Sequence, residues 1–137
     1  MSKEVKKRIV KSVVWSVALY GAETWTLKKE EMRRLDSLEM WLWRRMEKIS
    51  WTEKKTDVVV LEMVGEKRHL VDMIVQRKKN WIGHVMRGDG LLRDIMEGSM
   101  EGERPKGRPR MGMLKELIED SFENMKHRTE DRLKWRC

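Results

Sequence analysis

Both prolines of this 137-residue chain fall inside one stretch, Arg104–Arg110, which reads Arg-Pro-Lys-Gly-Arg-Pro-Arg. Proline fixes φ and donates no N–H, so Pro105 and Pro109 exclude a helix interior or a central strand from these residues. The rest of the chain is free of that constraint, and its apolar residues recur at helical rather than alternating spacing. The expected fold is all-α, about four to six helices in a small bundle. An exposed basic Pro/Gly loop, residues 98–112, precedes the last helix.

A first helix is expected over Ser2–Tyr20. Val5, Ile9, Val13 and Val17 form an apolar stripe opposite Lys3, Lys6, Lys7 and Lys11, Ser2 supplies an N-cap, and Gly21 a stop. The β-branched Val13, Val14 and Val17 also suit a buried strand. Lys28–Ile49 carries the clearest helical stripe, Met32, Leu35, Leu38, Leu42 and Met46, with Thr26 as its cap. Trp41 and Trp43 flank that stripe and read as core packing rather than base stacking. Asp57–Val64 is a short helix closed by Gly65, although its Val58–Val60 run suits a strand as well. Leu70–Arg87 is the next long helix, with Leu70, Ile74, Trp81 and Val85 inward. Within it, Gly83 costs about 1 kcal/mol unless a close helix crossing needs the missing side chain. After a turn at Gly88-Asp89-Gly90, Leu91–Glu97 is a short helix. Met113–Lys134 is the last, with a fresh start signalled by Thr129, Glu130 and Asp131.

Charged residues make up 39% of the chain, as many as the hydrophobic ones, so the core is thin. The net charge of +8 favours a polyanionic partner, first of all the phosphate backbone of RNA or DNA. Seven tryptophans and twelve methionines leave a second possibility, self-association through apolar helix faces. The single cysteine, Cys137, permits neither an internal disulfide nor a thiolate zinc cluster, and an intracellular setting follows, nucleus and cytoplasm not being distinguished. No apolar run approaches the roughly 18 residues that span a bilayer, so no membrane partner is expected.

Catalytic signals are missing. Two-metal polymerase and nuclease chemistry needs clustered carboxylates, whereas the acids here are scattered among lysines and arginines. His69, His84 and His127 lie far apart and do not pair at metal-ligand spacing, and His84 reads as a packed or hydrogen-bonded structural histidine. No glycine-rich phosphate cradle occurs. The expectation is no catalytic residue, no metal and no cofactor. Two cationic clusters remain as candidate phosphate contacts: Arg104, Lys106, Arg108 and Arg110 in the proline loop, and Arg77, Lys78 and Lys79 on the long helix. The Gly107-Arg108-Pro109 core of the loop also resembles an AT-hook, in which a narrow A·T minor groove attracts arginine.

Three segments together resemble one family. They are Leu19-Tyr20-Gly21-Ala22-Glu23-Thr24-Trp25, then Trp81-Ile82-Gly83-His84-Val85-Met86-Arg87, then Gly102-Glu103-Arg104-Pro105-Lys106-Gly107-Arg108-Pro109. In this order and spacing they are similar to the region after the catalytic palm in the reverse transcriptase (RNA-directed DNA polymerase) of non-LTR, LINE-type retrotransposons. The resemblance implies a thumb-like terminal helix over 1–25, a helical C-terminal extension over 26–97, the basic loop over 98–112 and a C-terminal helix over 113–137. It also implies a non-catalytic fragment, because the palm's paired aspartates would lie upstream. The extension's implied role is to hold template RNA or target DNA. Two positions depart from the family: Glu103 stands where a basic residue is expected, and Val58–Val60 where polar helix formers are usual.

Overall fold

A computed structural model describes residues 1–98, 112–114, 117–118 and 121–136, with Lys134 and Arg136 by their backbone alone. The chain is all-α, and the described residues contain no strand. Its helices are α1 (Lys3–Ile9), α2 (Trp15–Ala18), α3 (Lys29–Met46), α4 (Asp57–Val64), α5 (Leu70–Arg87), α6 (Leu91–Glu97), α7 (Phe122–Glu130) and α8 (Arg132–Arg136). A π-helical turn, Val10–Val14, joins α1 to α2, and a 3₁₀ turn, Ala22–Thr24, follows them. The helices form two compact units. The first comprises Met1–Ala22 and Leu27–Val75, the second Glu23–Thr26 and the residues from Gln76 onward.

In the first unit, the expected facing of the first helix is reversed. Val5, Ile9, Val13 and Val17 lie on the solvent side, Val17 at 74% exposure, and Tyr20 is exposed beside them. The opposite line is Lys3, Lys7, Lys11, Trp15 and Leu19, with Lys7 half-buried and Lys3 and Lys11 exposed at its edge. Lys3 pairs with Glu47 at 3.1 Å, while Lys7 and Lys11 share Glu66 at 3.7 and 2.7 Å. Below them Trp15 and Leu19 are buried. Trp15 meets Trp43 edge to face, with centroids 6.0 Å apart and planes at 86°.

Magnitudes explain the choice. Burying an indole removes about 150–250 Å² from water, or about 4–6 kcal/mol, whereas each lysine pair contributes at most about 1 kcal/mol. Trp15 therefore orients the helix, and the lysines follow because they lie four residues apart on the same line. In a straight α-helix such a line drifts by about 40° per step, and the wider π turn removes part of that drift.

The clearest stripe holds in part: Met32, Leu35, Leu42 and Met46 are half-buried. On α3 it is Glu39, Met40 and Trp43 that are buried, while Leu38 reaches solvent. Glu39, at 0% exposure, accepts the backbone N–H groups of His69 (3.3 Å) and Leu70 (3.1 Å), two of the orphan donors that open α5. The start of α3 is a correction too. Thr26 does not cap it; the Lys28 N–H donates to the Glu31 carboxylate at 2.6 Å and closes the first turn. Val58–Val60 is helical, with Val60 and Val64 buried, so the packing of α4 overrides β-branched propensity. Further correct expectations are the Ser2 cap, whose hydroxyl accepts the Val5 N–H at 3.4 Å, and the ends of α4, α5 and α6.

The second unit is built on Ile82, Met86, Met125 and Trp135, with Trp81, Met96 and Phe122 packed against them. The last helix is shorter than expected. Its described part begins at Phe122, where Ser121 caps it through the Asn124 N–H at 3.2 Å. The chain breaks at Asp131, whose carboxylate accepts the Leu133 N–H at 3.0 Å and starts α8, the fresh start that the sequence signalled. Gly83 has the close crossing that its cost requires. A Cβ built there would overlap the Trp135 indole, whose Nε1–H donates to the Lys79 carbonyl at 2.7 Å. Gly83→Ala is therefore expected to destabilise the protein by about 1–3 kcal/mol through overpacking, the opposite of the ~1 kcal/mol gain at an open helix position. Urea unfolding checks this, and a gain in stability would contradict the seating of Trp135.

Candidate nucleic-acid interface

The cations of the long helix do not form one patch. Successive helix residues are 100° apart, and the three neighbours divide accordingly. Arg77 is exposed. Lys78 is buried at 1% exposure. Lys79 is half-buried, and its ammonium lies 5.6 Å from the centroid of the Trp135 ring, a cation–π contact within the second unit. A knob of three solvent-facing charges is thus corrected to one exposed charge, Arg77, beside a partly covered one. Arg104, Lys106, Arg108 and Arg110 lie outside the described residues.

A different cationic surface emerges on the first unit. Turning Glu39 and Trp43 inward puts Arg34, Leu38, Trp41, Arg45 and Lys48 on the opposite, solvent side of α3 and its C-terminus. Steps of four, three and four residues keep Arg34, Leu38, Trp41 and Arg45 on one line, about 17 Å long, and Lys48 follows in the turn beyond the helix. Trp41 is 57% exposed, against 0% for Trp43. The reading of both tryptophans as core packing therefore holds for Trp43 and fails for Trp41.

Trp41 also lines a groove of about 560 Å³ together with Arg44, Arg45, Trp51, Lys54 and Lys55. Trp51, in the polar turn after α3, is 97% exposed. Two acids face the same groove and both are engaged. Asp57 holds Arg44 at 2.7 Å and also pairs with Arg68. Glu53 pairs with Lys55 at 2.6 Å and accepts the Ser50 N–H at 3.2 Å. Lys55, then that N–H, hold its carboxyl below the usual carboxylate range. Arg45 and Lys54 have no ion pair among the described residues and supply the groove's net positive charge.

The C-terminus of α3 carries a local strain. Lys48 sits at φ 55°. The Ile49 N–H reaches the Arg44 carbonyl at 2.9 Å and the Lys48 N–H the Arg45 carbonyl at 3.3 Å, the two bonds of a Schellman motif. Helix α4 ends in the same motif with Gly65 at φ 69°, the residue that the left-handed conformation favours. A lysine in that place costs about 1 kcal/mol, yet it extends the cationic line of α3.

The histidines build no site. His84 faces solvent rather than packing as expected. His69 Nδ1 lies 2.7 Å from the Lys67 carbonyl, and His127 pairs with Glu130 at 2.9 Å. Among the described residues no three potential ligands gather as a metal site. No described helix is long and apolar enough to cross a membrane.

Compared with protein-family models, with curated proteins and with solved structures, the chain finds no match.

Lys48→Gly relieves the strained turn without touching the core and is expected to stabilise the first unit by about 0.5–1 kcal/mol. Thermal unfolding followed by circular dichroism checks it; a lowered midpoint would contradict the left-handed assignment.

Proposed function

We propose that this chain is a non-catalytic helical protein that binds nucleic acid through its phosphates, a remnant of the post-palm region of a LINE-type reverse transcriptase. The origin rests on the three segments quoted above. The binding rests on one observation, the exposed cations Arg34 and Arg45 on the solvent face of α3, with Lys48 exposed just beyond its C-terminus. A net charge of +8 and the proline loop support it. Such contacts carry no sequence information, so binding is expected to be non-specific, of RNA or DNA alike.

The orientation of the first helix favours a second reading. From Ser12 to Tyr20 this segment carries no charge, and it buries Trp15 and Leu19 on one side while exposing Val13, Val17 and Tyr20 on the other. A helix apolar all round is normally covered all round. Self-association through the valine face would supply that cover.

Reversing the loop charges tests the loop's part in the first reading. With Arg104→Glu, Lys106→Glu, Arg108→Glu and Arg110→Glu combined, duplex binding is expected to be lost or to weaken steeply. If all four meet phosphates, the slope of log affinity against log salt falls in magnitude by about 3.6. Unchanged affinity and slope would remove the loop from the interface. A mass by light scattering that rises with concentration and ignores added nucleic acid would favour self-association.

A further inference from the structure

The exposed tryptophans of the first unit call for an account that core packing does not give. A large indole left in water forgoes the burial that makes tryptophan useful in a core, and here two of them line one groove. The chemistry beside them is specific. The groove's carboxylates are each tied to a cation, whereas Arg45 and Lys54 carry no ion pair among the described residues. Flat aromatic faces next to uncommitted cations are what an unpaired nucleotide requires: stacking for the base, charge for the phosphate. A duplex hides its base faces and gains nothing from such indoles.

We infer that the groove lined by Trp41 and Trp51 is a binding site for single-stranded nucleic acid, with the indoles stacking on unpaired bases and Arg45 and Lys54 meeting the flanking phosphates. This deepens the nucleic-acid reading and rests on it. The strand follows the α3 line from Arg34 to Arg45 and on to Lys48 beyond it. The strained left-handed lysine fits this role, since a glycine there would give the better helix end but no charge. A purely apolar protein partner would leave Arg45 and Lys54 without a counterpart.

The test uses the full chain and two probes, a fluorescent oligo(dT) 15-mer and the same strand annealed to its complement. Trp41→Ala and Trp51→Ala are each expected to weaken single-strand binding about tenfold. Duplex binding is expected to stay within about twofold. Trp41→Phe keeps a stacking ring and is expected to recover most of the loss. Trp51 is 97% exposed, so its replacement tests the site without disturbing the core, as an unchanged thermal midpoint would verify. Single-strand binding that survives both alanine substitutions would overturn the stacking site while leaving phosphate binding intact. Equal losses on both probes would overturn it as well. No binding of either probe by the folded wild-type chain would instead overturn the nucleic-acid reading itself. Tryptophan-dependent self-association unaffected by the oligonucleotide would assign the groove to a protein partner and contradict the proposal.

Discussion

The buried carboxylate of Glu39 sets the register of the first unit. The group lies fully out of water, and the first N–H groups of α5 point at it. That contact fixes the rotation of α3 about its own axis. With Glu39 turned toward α5, Met40 and Trp43 face the interior and Trp43 can receive Trp15. Everything on the other side of α3 is then committed to solvent, including Trp41, Arg45 and the line to Lys48. One polar contact in the core thus determines which aromatic and cationic groups are offered to a partner.

The second unit relies on a different device, an absent side chain. Gly83 leaves room for the Trp135 indole to reach the Lys79 carbonyl, and Arg87 adds a bond to the Thr129 carbonyl at 2.7 Å. Glu97 then ties α6 to α7 by pairing with Lys126 at 3.0 Å. These contacts use up much of the charge that the sequence places on this part of the chain. Counting lysines and arginines therefore overstates the cationic surface, as buried Lys78 shows most plainly.

Helix positions were legible in the sequence because they depend on local signals: Ser2 before α1, Gly65 after α4, the Gly88-Asp89-Gly90 turn before α6. Helix facing was legible for α5, whose Leu70, Ile74 and Val85 are buried, but not for the first helix. The first helix has two i, i+4 lines, one of valines and one that starts with three lysines and ends in Trp15 and Leu19. Single-residue hydrophobicity favours the valines, whereas tertiary packing favours the tryptophan pair. Likewise the role of Glu39, which stands beside Leu38 on the stripe, emerges only with its partners on α5, some thirty residues away. A signal for the groove did exist. Trp51 stands in an otherwise polar turn, and Arg34, Leu38, Trp41 and Arg45 share one helical line once Leu38 is taken off the core face.

The central claim is that these surfaces serve a polyanion. Its most direct test is a salt titration of the intact chain binding to labelled duplex DNA and to single-stranded RNA, after circular dichroism shows it helical. The account predicts binding on the order of micromolar at low salt that weakens steeply as salt rises, with the single strand retaining more affinity at high salt because stacking is not screened. A folded, helical chain that binds neither ligand at low salt would contradict it.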